Sequence, residues 1–321
     1  MKRTRAAAPI LLGLCAAAAG LGMPVPRIAL AGSETAFVSD DAGVRATAMG
    51  GAYSAVGGEP TALYWNPATL FFQTERSLEA SYADLYGLGL ATRTFLTFGS
   101  KRIIEEPHYE GDQLVVVQNH ESGTAYALGI ESLSVDLDEN AYSELSLGGG
   151  FAWGYDDRFA VGLALRALFA SSDLDKVSGL GYNVGIGAAW QYSSRERLGI
   201  SIPHLVSRLS WDFESSERLP VDVTLGWSHR MWRTLTLSAD MEWREGEADL
   251  HRAAAGGEWW VFPERLAIRG GFRHLSGGLE SLDKPTFGAA VRWSRLRFDY
   301  AFRMEPEALG DSHRLGLLVH F

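Results

Sequence analysis

The chain has 321 residues, 46% of them hydrophobic, one cysteine and a formal net charge of −10. That balance lacks the basic footprint a nucleic-acid-binding protein needs, and a single cysteine builds neither a disulfide framework nor a thiolate metal site. Beyond the N-terminal region no stretch approaches the roughly 18 continuous apolar residues of a spanning helix.

Met1-Lys2-Arg3-Thr4-Arg5 is basic, an alanine-rich apolar run follows to about Met23, and Ala29-Leu30-Ala31 has the small-x-small spacing of a signal-peptidase site. Residues 1–31 are therefore predicted to be a secretory signal peptide. Its removal would take away Cys15 and four basic residues (Lys2, Arg3, Arg5, Arg27) with no acidic one, moving the charge from −10 to −14. Residues 32–76 lack sustained alternation and are rich in Gly and Ala. Two short helical pieces are predicted there, over 46–56 and 60–70, with Pro60 at a helix start and Asn66-Pro67 as a break. The segment is too small to bury a core of its own, so it is expected to pack into a larger body as a plug.

From Ser77 onward the apolar period is two. Between Thr234 and Arg244, Leu235, Leu237, Ala239, Met241 and Trp243 alternate with polar residues, which no helix would do. Fourteen strands are predicted near 77–86, 88–101, 123–134, 141–155, 157–170, 178–193, 195–206, 219–232, 233–245, 249–262, 264–274, 285–295, 296–304 and 311–321. Many are longer than the five or six residues usual in globular sheets and match the length of a tilted membrane strand. Tight turns at 156–157, 194, 232–233, 263 and 294–295 alternate with longer polar connections, as periplasmic turns and outer loops do in bacterial barrels. Residues 102–122 break the rule, and an extra strand is expected within 113–118. Trp153, Tyr155, Trp190, Tyr192, Trp232, Trp259, Trp260, Trp293 and Phe321 gather at the ends of even-numbered strands, the arrangement of an interfacial aromatic girdle. The last strand places Leu315, Leu317, Val319 and Phe321 on one face. A sticky terminal edge of this kind suits a strand that closes a barrel in lipid. The fold class is thus all-β: a fourteen-stranded antiparallel transmembrane barrel over 77–321, plugged by 32–76, in the outer membrane.

The alternation puts Arg166, Asp222, Asp240, Glu242, Arg244, Arg269, Arg292, Arg297, Asp299 and Arg303 on the inward face. Two readings exist for them: a selectivity lining for an anionic solute, or a salt-bridged and largely filled interior. The mixture of signs on neighbouring strands favours the second. No nucleophile elbow, phosphate loop or zinc spacing occurs, and Ser312-His313 are strand neighbours that point to opposite faces. A non-enzymatic protein without cofactor or metal is expected.

The stretch Gly43 to Tyr53, with Arg45, Met49, Gly50 and Gly51, followed by Ala62 to Leu70 with Asn66 and Pro67, resembles the N-terminal signature of the PorV/PorQ family of outer-membrane proteins. The Asn-Pro-Ala element is also similar to the long-chain fatty-acid transporter family. The end of the chain, Leu296 to Phe302, His313-Arg314-Leu315 and Phe321, resembles PorV/PorQ as well. Both families imply fourteen-stranded barrels whose N-terminal segment engages the lumen, and Phe321 would be the insertion signal read by the barrel-assembly machinery. PorV/PorQ membership implies support for secretion or surface attachment of cargo proteins. The chain is shorter than fatty-acid transporters and shows no long outer-loop insertion. A passive channel for hydrophobic ligands and a purely structural barrel remain the alternatives. Outer-membrane lipid is a partner under all three.

Overall fold

The computed structural model describes residues 36–37, 42–87, 89–104, 108–110, 113–115, 122–137, 140–173, 177–212, 216–246, 250–275, 282–304 and 310–321. The expected signal peptide lies outside them. Fourteen strands form one antiparallel barrel: β1 (Ser77–Asp84), β2 (Ala91–Ile104), β3 (Ser122–Leu137), β4 (Asn140–Tyr155), β5 (Phe159–Ser172), β6 (Val177–Trp190), β7 (Glu196–Trp211), β8 (Asp222–Met231), β9 (Leu235–Arg244), β10 (Arg252–Phe262), β11 (Leu266–Leu275), β12 (Leu282–Trp293), β13 (Leu296–Arg303) and β14 (Ser312–His320). Each pairs with its neighbour in sequence, and β14 closes on β1 through Ser77↔His320 to Asp84↔His313. Closure pairs the first strand with the last, so neither end of the sheet is an open edge.

Strand parity decides which side chain meets which environment. Leu128, Leu165, Leu180, Phe287, Phe298 and Leu315 are each more than half exposed on the outer face. Water would penalise such a belt, whereas hydrocarbon accepts it. From β4 onward the even-to-odd hairpins are tight. Asp156 and Asp157 have φ of 58° and 50°, and Trp232 and Arg233 of 53° and 62°, the left-handed pair that type I′ turns require. Trp153, Tyr155, Trp190, Tyr192, Trp232, Trp259, Trp293 and Phe321 are exposed toward that end. Trp260 departs from the expected girdle. It lies on the inward parity with Glu258, and its Nε1 donates to Glu258 at 3.3 Å.

The extra strand expected within 113–118 is present, and the helix lengths are corrected. Gln113–Val115 is a short strand, but it pairs with His108–Glu110 in a separate hairpin and adds nothing to the barrel. The helices are also shorter than predicted: α1 spans Val44–Ala48 and α2 spans Ala62–Trp65, followed by a 3-10 turn over Pro67–Phe72. Gly50 and Gly51, at φ 69° and 77°, end the first piece well before residue 56. Asn66-Pro67 separates the other two, and the Asn66 side chain caps the 3-10 turn by accepting from Ala68 N.

The wall is uneven. Strands β2–β7 have 14–16 residues, while β8–β14 and β1 have 8–12. At the step between the two halves the ladder is broken. β7 and β8 pair only from Glu196↔His229 to Ser201↔Thr224. Further along, that side of β7 is joined only at Leu209 and Ser210, by residues 217 and 216, while β6 pairs with its other side. Pro203 and Pro220 flank the gap and have no N–H to give. A bulge on β7 opposite Gly185 accompanies the break, because the register jumps from Ile186↔Ile202 to Val184↔Val206.

Candidate functional site

The lumen is filled at mid-height by residues 42–76, and the wall is shaped for them. Inward positions on successive strands are glycine where the plug presses. Gly162 faces Pro67-Ala68, and its cross-strand partner Gly187 faces Asn66. The paired Gly199 and Gly226 both face Ser54, and the paired Gly256 and Gly271 both face the Met49 backbone. Side chains at these positions would collide with plug atoms. From the plug side, Gly50 stacks on the Phe272 backbone, where a Cβ would come within 2.6 Å of its nitrogen. Gly51 lies against Arg273 and Trp65.

The plug has two unlike faces. Leu63, Leu70 and Phe71 pack on inward alanines of β3–β6, including Ala125, Ala127, Ala152 and Ala164. The opposite face is held by charge. Arg45 gives Nε and Nη2 to Glu258 at 2.8 and 2.7 Å, and Nη1 to Glu59 at 3.0 Å. Arg269 joins Glu258 at 2.7 Å to Asp299 at 2.5 Å. Arg297 joins Asp299 at 2.8 Å to Glu59 at 2.6 Å. Three arginines and three carboxylates thus alternate in a closed ring that stitches the plug to β10, β11 and β13. Every carboxylate in it touches two cations, the arrangement that offsets the cost of burying charge. Burial alone would raise the Glu59 carboxyl, but Arg297 and Arg45 outweigh it and hold it at about 2. Burial, and then the adjacent Glu59, pushes the Tyr53 phenol far above its ordinary range, so it stays a donor to Glu59.

The predicted site residues separate into groups. Arg45, Arg269, Arg297 and Asp299 belong to the ring. Asp240 accepts the N–H groups of Tyr53 and Ser54 at 3.0 and 2.9 Å. Asn66 Nδ2 ties Ser54 O to Ala188 O on β6. Met49 is fully buried, Gly50 O accepts from Arg273, and Pro67 begins the 3-10 turn. Asp222 and Arg244 form a two-pronged pair at 2.8 and 3.0 Å, and Glu242 bonds Arg252 at 2.7 Å. Arg303 is buried on β13. Arg166 lies higher, within 3.2 Å of His204 Nδ1 at the β7 bulge and 5.7 Å from the Tyr64 ring centre. Arg292 is not in the lumen: it sits at the tight-turn rim, 3.5 Å from Glu75. Phe321 is exposed at the same rim, its N–H bonded to Arg76 O.

Sequence reading missed Glu59, Glu258, the glycine belt and Phe37. Glu258 and the glycines follow from inward parity once a plug is assumed. Phe37 carried no pattern. Its ring is buried among Leu168, Ala170, Leu209 and Leu219, with Trp211 alongside, and its N–H donates to Glu144. This apolar pocket lies on the loop side of the plug. Leu219, whose N–H donates to Ser207 Oγ at 2.9 Å, belongs to the segment that borders the ladder break. On the other side of the plug, a cavity of about 650 Å³ lies between plug residues 56–58 and 72–74 and the tight-turn rim.

No protein-family model and no curated protein matches the sequence. The fold does match solved structures. The CymD monoaromatic hydrocarbon channel superposes with a TM-score of 0.56 at 14% identity, over 87% of this chain and 97% of that one. The Pseudomonas putida toluene transporter TodX superposes with a TM-score of 0.54 at 12% identity, over 86% and 96%. At such identities the likeness establishes the fold alone. This is an outer-membrane β-barrel of fourteen strands. These structures give no evidence for the PorV/PorQ resemblance.

Proposed function

We propose that the protein is a passive channel that admits small, uncharged hydrophobic molecules, with single aromatic rings as the size class, across the outer membrane. The observation that carries this reading is the apolar pocket above the plug, set beside the break between β7 and β8. That site is a packed cluster that the Phe37 ring itself completes, so a single ring could enter it by displacing Phe37. Over Ile202 to Arg208 the β8-facing side of β7 has no ladder partner, although β6 still pairs with it on the other side. A solute arriving from the loop end meets a firmly bonded plug, so the softer route is sideways through the broken ladder into the bilayer. An apolar solute loses nothing by entering hydrocarbon, whereas a sugar or ion would forfeit its hydration. The named channels of the same fold agree with this solute class. Secretion or surface attachment of other proteins rests only on the terminal sequence resemblance, and nothing in the geometry adds to it.

The test is uptake of labelled toluene by Gram-negative cells that lack a channel of their own. Cells producing this protein should take up toluene faster than control cells, with no added leak of a hydrophilic sugar. Equal toluene uptake, or an equal rise for both solutes, would sink the proposal.

A further inference from the structure

The cavity under the plug is chemically unlike the pocket above it. Its lining includes the cations Arg45, Lys101, Arg195, Arg197 and Arg230 against two carboxylates, Asp157 and Glu196. Glu196 already meets His229 at 3.2 Å. Arg45 is engaged in the buried ring. Arg197 stacks on Phe72 at 3.6 Å and gives its terminal nitrogens to Val56 O and Gln191 Oε1. Arg195 and Arg230 differ. Their backbones are hydrogen-bonded to each other, Arg230 N to Arg195 O at 2.6 Å, so the two lie side by side at the mouth. Neither side chain bonds or pairs with any described residue. Two adjacent guanidinium groups repel each other unless an anion lies between them. Their forked donors suit a carboxylate. Val56 and Phe72 add an apolar wall to the same cavity, and its volume is in the range of small-ligand sites.

We propose that this vestibule binds a small organic carboxylate, with the anionic group between Arg195 and Arg230 and the apolar body against Val56 and Phe72. The site would give the barrel a second, charge-selective binding station on its tight-turn side. It does not depend on whether hydrocarbons pass above the plug.

The experiment is isothermal titration of the purified full barrel in detergent with benzoate, benzyl alcohol and inorganic phosphate. Benzoate should bind saturably, more tightly than either of the others. The double variant Arg195→Gln with Arg230→Gln should bind benzoate about tenfold more weakly or worse, as expected for lost charge-assisted hydrogen bonds. Both positions are at the rim, and an unchanged heat-dependent gel shift would show the variant barrel is folded. Three outcomes would overturn the site: no saturable benzoate binding, benzoate binding indifferent to the double variant, or benzyl alcohol or phosphate binding as well as benzoate. Toluene uptake by cells carrying the same variant should stay unchanged, which separates this site from the channel proposal.

Discussion

Glu59 shows how single residues set the state of the plug. It is the plug's own carboxylate in the charged ring, and its two arginine partners come from different bodies: Arg45 from the plug and Arg297 from the wall. Its carboxyl is held at about 2, below its ordinary 4.5. A group held low in the folded state takes up its proton less readily than when released, so its stabilising contribution is complete above about pH 4.5 and fades as the pH falls toward 2. Hydrogen exchange of the 42–76 peptides, corrected for intrinsic rates, should therefore show protection that is level from pH 7 to 5 and declines below. Glu59→Gln should lower protection already at pH 7, because Arg297 and Arg45 lose their shared counter-charge. Acid-independent protection in the native chain would contradict the ring's role. At this scale the sequence was legible only in part. Parity assigned Arg269, Arg297 and Asp299 to the inward face, the face on which the ring forms, and the pattern around Gly50-Gly51 drew attention to the N-terminal segment. Partners were out of reach, since Arg45 and Glu258 are 213 residues apart in the chain. Arg292 was misplaced because parity reports a face and not a height: at the rim, the same face is outside the lumen.

At the scale of elements, the plug and the wall are complementary in volume as well as charge. The belt of inward glycines is a strand feature with no strand-level benefit, since glycine weakens a sheet. It is explained by the closeness of the plug backbone. Gly271→Leu should force Met49 and Gly50 off the wall at a cost of about 1–3 kcal/mol, typical of overpacking, while the barrel still closes. Gly149→Ala is the control: it sits on another face, with Leu128 no nearer than 3.7 Å, and should change stability by less than about 0.5 kcal/mol. Limited proteolysis of the plug and urea unfolding of the barrel would distinguish the two, and equal protease resistance of the plug in both variants would refute the belt's purpose. The strands themselves were readable because a lipid-facing surface enforces alternation over 8 to 16 residues. The helices were overextended because Gly and Ala runs carry little period, and the turn at Gly50-Gly51 is dictated by contact with Phe272 and not by local propensity.

On the scale of the whole molecule, closure, strand number and the sidedness of turns and loops were legible because each strand's parity and length report on one solvent. The broken ladder between β7 and β8 was not, since Pro203 and Pro220 fall inside the predicted strands 195–206 and 219–232 and only the register shows what they interrupt. Together these features would make the proposed route: entry from the loop end, arrest above a fixed plug, and exit through the wall. The measurement that tests it most directly is toluene uptake by cells carrying Val44→Cys with Gly316→Cys. A Cβ at Gly316 would lie 3.4 Å from Val44 Cβ, close to the roughly 3.5–4.5 Å of a disulfide, so oxidation pins the plug to β14. Uptake should be as fast with the bond closed as with it reduced. Uptake that stops on oxidation and returns on reduction would mean that the plug itself must move, and the sideways route would be wrong.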